Sequence, residues 1–439
     1  MRLPRIVLAG ISAPALPIAG LGLPIVVYLP PFFADTVGIG LATVGLIFML
    51  ARFWDVFTDP VFGVVADRLR PPLGRRKFWL LLSVPVLMLA VWQLFNPPEG
   101  AGPLYLGAWL AALYVGWTMA TISVVSWSAE LSVDYDERTR VQAWYMTFLM
   151  VGLIVVLLIP AAIEGFGGGD NRAKMTGIAV FIVALLPLCV GFALWKVPEV
   201  AVREDTSAKW GEAFRAMCRS RPLRLILVCD LVIGLASGIA GSLYIFVARD
   251  ALGLGASASI LLLSYFLVGC LAVPLWAWAA RRHEKHRALA AASVYAGLTA
   301  LLFLLVPQGG MLAMLVVTVL NGVTYASARF LLKAMMADVT DIDRMESGRM
   351  QSGVFFSLLT MTEKIGLALA VGITYPILQA IGFVAGGDNE GTARLGVILL
   401  FALTPAVLHL FAAFVLWRFP LGRADQHELR ARLATRFGD

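Results

Sequence analysis

Residues 129–142 read AELSVDYDERTRVQ, and a related stretch, ADVTDIDRMESGRMQ, occupies residues 337–351. The first alanines of the two stretches are 208 residues apart. Each stretch follows the fourth apolar run in its half of the chain. A polar motif that returns at the same place in both halves predicts an internal duplication, in which each copy contributes six membrane-spanning helices.

The composition around these repeats is that of a membrane protein. Of the 439 residues, 60% are hydrophobic and 14% are charged, whereas soluble domains are about half apolar and about a quarter charged. We therefore predict an all-α polytopic membrane protein with twelve transmembrane helices in two six-helix bundles. The apolar runs that carry this prediction are residues 8–33, 41–66, 78–96, 103–128, 141–163, 175–196, 223–248, 257–280, 287–306, 311–336, 351–382 and 393–418.

The longest polar segment lies between the sixth and seventh runs and divides the chain. Its second part, residues 207–219, has the pattern of an amphipathic helix that lies on a membrane surface. The predicted domains are an N-terminal bundle over 1–196, a cytoplasmic linker over 197–222, a C-terminal bundle over 223–418 and a cytoplasmic tail over 419–439.

Positive charge is distributed unevenly between the loops. When residues at the ends of runs are counted with the adjoining loops, 27 of the 35 lysines and arginines lie at the termini or in even-numbered loops, four lie in odd-numbered loops and four lie deeper inside runs. Because cytoplasmic loops carry the excess of positive charge, we expect a multi-pass protein of the cell (inner) membrane with both termini in the cytoplasm. The net charge of +7 follows from this bias, and no aromatic-studded basic patch indicates a nucleic-acid partner.

The second run contains three charged residues on one helical face. Arg52, Asp55 and Asp59 are spaced i, i+3 and i+7, so their side chains project in similar directions. Charged groups at this depth are costly unless they are paired, hydrated or functional. The two carboxylates predict a site for a proton or a metal ion, and the candidate metal is Na⁺. In the alternative interpretation, Arg52 only neutralises Asp55, and Asp59 bonds locally beside Pro60.

The eleventh run carries Lys364 near its centre, about 20 Å along the helix from its predicted start. A lysine at this depth needs a carboxylate or an anionic substrate as its partner. We expect Lys364 to contact the substrate close to Asp55 or Asp59. A purely structural ion pair is the alternative.

The tenth run has a stripe of polar residues. Asn321, Tyr325, Arg329 and Lys333 follow one another at steps of four residues, which places them on one face of a helix. Tyr325 and Arg329 are therefore predicted to line the path of an anionic substrate. Alternatively, Lys333 reaches the membrane interface and Arg329 pairs with Asp338 or with a carboxylate of an inner loop.

Charged residues near the predicted cytoplasmic loops indicate a gate. A glycine-bounded basic segment joins the second and third runs, and its residues could form ion pairs that are weak enough to break. The same basic residues are also expected from topology alone. The residues that we assign to this gate are Arg52, Asp67, Arg68, Arg75, Arg138 and Asp338.

Three further residues complete the predicted site. Trp127 could stack on a sugar ring or anchor its helix at the membrane interface. Tyr28 is the polar candidate of the first run, and Ser123 could add an oxygen ligand for Na⁺. The predicted cation site is therefore Asp55, Asp59 and Ser123, and the predicted substrate site is Tyr28, Trp127, Tyr325, Arg329 and Lys364.

The sequence offers little for catalysis or for a cofactor. The four cysteines stand singly, and no histidine has a partner at metal-ligand spacing. We therefore expect no enzymatic activity and no cofactor beyond the coupling ion, H⁺ or Na⁺. We expect a monomer whose partners are the lipid bilayer and a small-molecule substrate. A non-transporting receptor or an enzyme on the same scaffold is the alternative of another class.

These motifs resemble those of the major facilitator superfamily and, within it, of the glycoside-pentoside-hexuronide:cation symporters. The similar segments are ARFWDVFTDPVFG (51–63) with GRRKFW (74–79), WSAELSVDYDERTR (127–140) and ADVTDIDRMESGRMQSGVFFS (337–357). The resemblance implies a major facilitator fold and cation-coupled transport. It also implies that Asp55 and Asp59 bind the cation and that Lys364 lies near that site.

The sequence departs from the family pattern at three positions. Ala19 and Ser123 stand where sugar-transporting relatives carry acidic residues, and an arginine of the fifth span is replaced near Met146. The loss of these acceptors should weaken the binding of a polyol. The same loss removes oxygen ligands for Na⁺, which favours proton coupling, although Thr121, Ser123 and backbone carbonyl groups could still contribute ligands. The prediction is a secondary active transporter, coupled to H⁺ or Na⁺, for a small organic solute such as a glycoside or sugar acid. A lysolipid or amphiphilic anion is the alternative cargo, because the resemblance extends to lysolipid carriers.

Overall fold

The computed structural model describes residues 3–69, 71–131, 135–166, 170–199, 220–347 and 352–422, together with residues 426, 429 and 435. Within these residues, twelve helical segments are long and apolar enough to cross a membrane, which confirms the predicted fold class. Numbered as spans 1 to 12, they are Arg5–Val27, Leu41–Gly63, Arg75–Phe95, Pro103–Ser128, Arg140–Gly165, Asn171–Lys196, Arg221–Ala251, Gly255–His283, Lys285–Leu305, Met311–Asp343, Val354–Ala380 and Gly391–Trp417.

Because the number of spans is even, the termini and the even-numbered loops share one side of the membrane, which we call the terminal side. The odd-numbered loops share the other side, which we call the distal side. Several spans contain more than one helix or extend beyond the apolar segment. The α-helices are Arg5–Ser12, Ala15–Val27, Leu29–Asp35, Leu41–Arg68, Arg75–Phe95, Pro103–Glu130, Tyr135–Gly165, Asn171–Lys196, Arg221–Ile245, Ala258–Leu271, Val273–His283, Lys285–Leu301, Met311–Gly322, Ser327–Ser347, Ser352–Ala380 and Gly391–Trp417.

The interruptions in the spans have local causes. Span 1 breaks at Pro14 and span 8 breaks before Pro274, since proline has no N–H group to donate to the preceding turn. Span 10 breaks without proline, at a turn over residues 323–326. There the N–H of Tyr325 donates to the carbonyl oxygen of Gly322 at 3.0 Å, as in a tightened 3₁₀ turn.

One compact unit contains Met1–Asp205, Gly241–Leu263 and Val371–Val397. It combines spans 1 to 6 with the distal ends of spans 7, 8, 11 and 12. Its helices approach closely where small residues meet: a Cβ on Gly152 in span 5 would collide with the backbone of Leu16 in span 1. Such small-residue contacts are the usual basis of helix packing in a bilayer.

The second compact unit contains Thr206–Ala240, Ser264–Ala370 and Ile398–Asp439. Its apolar core includes Leu223, Met335 and Phe355, which are at most 2% exposed. The division into bundles at residues 196 and 223 stays a prediction, because these units group residues by packing and not by sequence repeat.

Candidate functional site

Span 2 directs its two carboxylates towards span 4. Asp55 is 2% exposed and Asp59 is half-buried. The hydroxyl group of Thr118 in span 4 lies between them, with Oγ1 3.2 Å from Oδ1 of Asp55 and 2.6 Å from Oδ1 of Asp59. A hydroxyl group has one proton to donate, and the shorter distance identifies Asp59 as the main acceptor. Thr118 therefore joins the two carboxylates into one group.

Arg52 lies on the other side of Asp55. Its Nη1 atom is 3.5 Å from Oδ2 of Asp55, and its guanidinium group lies 4.8 Å from the ring centroid of Tyr114. The ion pair that the alternative interpretation required is therefore present. Asp59, however, is bonded to another helix through Thr118, which that interpretation did not anticipate.

Three hydroxyl groups of span 4 are buried without a hydrogen-bond partner among the described residues: Tyr114 Oη, Thr121 Oγ1 and Ser123 Oγ. Tyr114, Thr118 and Thr121 follow the spacing i, i+4 and i+7, so they share the helical face that carries the contact to the carboxylates. Ser123 lies about 140° around the helix from Thr118. A hydroxyl stripe in an otherwise apolar run is the sequence signal that could have identified Tyr114 and Thr118.

The second unit contains a separate charged cluster on spans 10 and 11. Nη2 of Arg329 is 3.6 Å from Oε1 of Glu363, and its guanidinium group lies 5.5 Å from the ring centroid of Tyr325. Asp338 forms an ion pair with Lys285, in which Oδ2 of Asp338 lies 2.6 Å from Nζ of Lys285. The alternative pairing of Arg329 with Asp338 is therefore wrong.

The polar stripe predicted for span 10 is not continuous. Asn321 turns towards span 9, where its Nδ2 donates to Oγ1 of Thr299 at 2.9 Å. The turn over residues 323–326 separates it from Tyr325. The expectation of a single stripe is therefore wrong, because it assumed an unbroken helix.

Asp230 in span 7 is a buried acid that the sequence interpretation did not use. It is 7% exposed, and its Oδ2 accepts a hydrogen bond of 2.6 Å from Oγ1 of Thr362 in span 11. Lys364 follows two residues later and is half-buried. The proximity of Lys364 to Asp55 or Asp59 stays a prediction.

Two residues of the predicted substrate site form hydrogen bonds within the protein. Trp127 is 0% exposed, and its Nε1 donates to the carbonyl oxygen of Pro198 at 3.1 Å. Tyr28 is 6% exposed, and its hydroxyl group donates to Oγ of Ser259 at 3.0 Å. These contacts favour a packing role for both side chains in this conformation.

The distal side of the first unit carries a network of buried polar residues. Oε1 of Glu164 accepts from Nζ of Lys174 and from Oγ of Ser259, both at 2.7 Å, and Oε2 accepts from the backbone N–H of Ser259 at 2.9 Å. Nearby, Nη1 of Arg249 is 2.6 Å from Oδ2 of Asp35. We call the set Tyr28, Asp35, Glu164, Lys174, Arg249 and Ser259 the polar clasp, because it joins ends of spans 1, 5, 6, 7 and 8.

The terminal side of the first unit has its own ion pairs. Oε1 of Glu130 accepts from Nη2 of Arg75 at 2.9 Å and from Nη2 of Arg76 at 2.6 Å. The backbone N–H of Arg76 donates to Oε1 of Glu199 at 2.9 Å. Arg75 therefore lies in an ion pair with Glu130, and its role in a gate stays a prediction. The side chains of Asp67, Arg68 and Arg138, and residues 207–219, lie outside the part of the chain that the structure describes.

Known proteins resemble the chain over most of its length. The protein-family model described as MFS/sugar transport protein matches residues 10–423. The isoprimeverose transporter of Lactiplantibacillus pentosus is 24% identical over 396 residues, which cover 87% of this chain and 81% of that protein. The human sodium-dependent lysophosphatidylcholine symporter 1 is 23% identical over 441 residues, which cover 90% of this chain and 79% of that protein.

The solved structure of the nucleoside transporter NupG superposes with a TM-score of 0.69 at 13% identity, and the match covers 94% of this chain and 100% of NupG. The fold is therefore that of a twelve-helix transporter, as the sequence motifs implied. Because the family match extends across nearly the whole chain, the protein belongs to the MFS/sugar transport protein family of the major facilitator superfamily.

Proposed function

We propose that the protein is a cation-coupled symporter that moves a small organic solute by exposing its site alternately to the two sides of the membrane. The observation that supports this proposal is the group formed by Asp55, Thr118 and Asp59 inside apolar spans. Two adjacent carboxylates at this depth are stabilised when a cation neutralises them. The bound cation then changes the relative free energies of the transporter's conformations, and this is the basis of coupling.

Na⁺ is the coupling ion that the surrounding oxygen atoms favour. Hard cations are held by several oxygen ligands, and the hydroxyl groups of Tyr114 and Thr121 are buried close to Thr118 along the same helical face. A buried hydroxyl group without a partner requires an explanation such as a bound ion or water. A proton needs a single carboxylate and leaves these hydroxyl groups unexplained.

The substrate that we propose carries a negative charge. Arg329 presents a side chain that is 61% exposed, and Lys364 lies deep in span 11. A sugar acid or an anionic glycoside combines such a charge with the sugar class of the isoprimeverose transporter. The human lysophosphatidylcholine symporter supports an amphiphilic anion as the second candidate. We assign substrate contact to Tyr325, Arg329 and Lys364.

We further propose that the protein lies in the cell (inner) membrane, with both termini in the cytoplasm, and catalyses no chemical reaction. The polar clasp closes the distal side, and the pairs of Arg75 and Arg76 with Glu130 belong to the gate of the terminal side. The clasp joins ends of spans from both halves of the chain and must break when the distal side opens.

The proposal is tested in sealed proteoliposomes. Uptake of labelled glucuronides, uncharged glycosides and lysolipids is measured with an inward Na⁺ gradient, with an inward proton gradient and with neither. We expect uphill uptake of an anionic sugar that requires Na⁺. Uptake that only equilibrates under all three conditions would contradict coupling, and chemical conversion of the solute in detergent would contradict the transporter class.

A further inference from the structure

Spans 9 and 12 enclose a groove on the surface of the second unit. Its volume is 390 Å³, within the range of about 300–1,000 Å³ that is typical of small-molecule sites. Its floor consists of small residues, including Ala290, which is 1% exposed, and Ala413, which is 5% exposed. Its walls include Leu410, Phe414 and Trp417, which are 39%, 53% and 73% exposed. The groove is therefore apolar and open to the lipid.

The groove has closed ends because the two helices touch above and below it. Towards the membrane centre, a Cβ on Gly297 would lie 3.1 Å from the carbonyl oxygen of Ala406 and 3.2 Å from Cγ of Leu410. Towards the terminal side, the rings of His286 and Phe419 are 5.8 Å apart. Between these contacts the lining includes Ala290, Ala291 and Ala413, whose methyl groups leave the groove unfilled.

Two arginines mark the terminal end of the groove. Arg287 lies four residues before Ala291, one helical turn beyond the lining and on the same face. Its side chain is 62% exposed, and its Nε atom lies 3.1 Å from Oε2 of Glu284. A guanidinium group has five N–H donors, so this pair does not use all of them. Arg418 lines the groove, and its guanidinium group lies 4.1 Å from the ring centroid of Phe414. The exposed Trp417 beside it is typical of the membrane interface, where lipid headgroups lie.

We propose that this groove binds an anionic phospholipid, with one acyl chain along the alanine floor and the phosphodiester group between Arg287 and Arg418. The apolar lining matches a hydrocarbon chain, and guanidinium groups bind phosphate oxygens through charge-assisted hydrogen bonds. A net negative headgroup is favoured over a zwitterionic one because basic sites between membrane helices select anionic lipids. This site is independent of the coupling ion and of the transported solute.

The headgroup contact is tested by native mass spectrometry of the full chain. The protein is purified from mixed micelles that contain phosphatidylglycerol and phosphatidylcholine with identical acyl chains. We expect the wild type to retain one phosphatidylglycerol in preference, and the double variant Arg287→Gln with Arg418→Gln to bind it roughly tenfold more weakly. Arg172→Gln removes an exposed arginine on the distal side and should leave retention unchanged. Equal retention of the two lipids by the wild type, or unchanged retention by the double variant, would overturn the proposal.

The position of the acyl chain is tested by filling the groove. Ala291 is exposed, so Ala291→Phe should occupy the groove without disturbing the core. We expect this variant to lose the bound phosphatidylglycerol although both arginines remain, with circular dichroism and melting temperature as checks on folding. If the folded variant keeps the lipid, the chain does not occupy the groove and the proposal is wrong.

Discussion

At the scale of single residues, Thr118 explains how two acids are held one turn apart in an apolar helix. Its hydroxyl group contacts both Asp55 and Asp59, but it can donate to one of them at a time. Arg52 offsets part of the charge on Asp55. Asp59 accepts the shorter of the two contacts from Thr118 and is therefore the carboxylate that we test first.

Replacing Asp59 by Asn tests this assignment. The amide has the same shape but carries no charge, so we expect the variant to fold and to lose Na⁺-driven accumulation of substrate. Uptake into proteoliposomes under a Na⁺ gradient measures the effect, and exchange of substrate without a gradient serves as a readout of intact translocation. Asp388→Asn, at an exposed distal position, is the matched control. Uphill uptake by the Asp59 variant would remove this residue from the coupling mechanism.

Thr118→Val removes the bridging hydroxyl group and keeps the volume of the side chain. We expect the apparent affinity for Na⁺ to fall about tenfold, because the variant loses the hydroxyl oxygen that lies between the two carboxylates as a ligand for the ion. Thr118→Ser retains the hydroxyl group and should retain most of the affinity. The Na⁺ dependence of uptake is the measurement, and an unchanged dependence in Thr118→Val would exclude Thr118 from the site.

The two acids could be predicted from the sequence, since charged residues inside an apolar run are conspicuous and costly. Thr118 could not be singled out, because hydroxyl side chains are ordinary in membrane helices and only the packing of span 4 against span 2 selects it. Trp127 shows the opposite case. Its position at the end of a span is compatible with stacking on a substrate. Only the folded structure shows that its indole N–H donates a hydrogen bond to the carbonyl oxygen of Pro198.

At the scale of elements, span 10 shows how close packing changes a helix. A Cβ on Gly322 would lie 2.6 Å from the carbonyl oxygen of Tyr265 in span 8. The helix ends at this glycine and resumes at Ser327. The run of apolar residues predicts the span, but it contains no proline to predict the break.

Gly322→Ala should therefore destabilise the protein by about 1–3 kcal/mol, because the added methyl group overpacks the contact between spans 8 and 10. The melting temperature of the detergent-solubilised variant measures this loss. The control is Gly191→Ala in span 6, where a Cβ would meet no atom within 4 Å among the described residues. If both variants melt at the same temperature as the wild type, the close approach at Gly322 is not a determinant of packing.

The polar clasp makes a second prediction about elements. Glu164 and Lys174 are 3% and 9% exposed, so Glu164→Ala leaves a buried ammonium group without its counter-ion. Breaking such a pair from one side costs about 3–5 kcal/mol. We expect a large fall in thermal stability that Lys174→Met partly reverses in the double variant. A double variant that is less stable than Glu164→Ala alone would contradict the pairing.

At the scale of the whole molecule, the number and order of spans follow from hydropathy, and the repeat of residues 129–142 at 337–351 indicates duplication. The clasp does not follow from the sequence. Tyr28 and Ser259 are 231 residues apart, and Asp35 and Arg249 are 214 residues apart. Contacts over such separations depend on the conformation of the complete transporter, which no local pattern encodes.

Coupling makes a prediction about the complete transporter. If Na⁺ raises the affinity for substrate by some factor, substrate must raise the affinity for Na⁺ by the same factor. Titration calorimetry with the solute identified by uptake should give equal factors in both directions for the wild type and no coupling for Asp59→Asn. Na⁺ and solute that bind independently in the wild type would exclude symport through this site.

The charges of span 2 have a further consequence for energetics. With both carboxylates ionised, Arg52, Asp55 and Asp59 together carry one negative charge, and one bound Na⁺ makes the group neutral. Moving one elementary charge through a potential of 100 mV changes the free energy by about 2.3 kcal/mol. The proposed anionic solute adds one negative charge, so the carrier loaded with Na⁺ and a singly charged solute has the same charge as the empty carrier. A cycle that moves one Na⁺ with one such solute should therefore transfer no net charge and should not respond to the membrane potential. Uptake of an uncharged glycoside with one Na⁺ would instead be electrogenic, because the empty carrier returns with one negative charge.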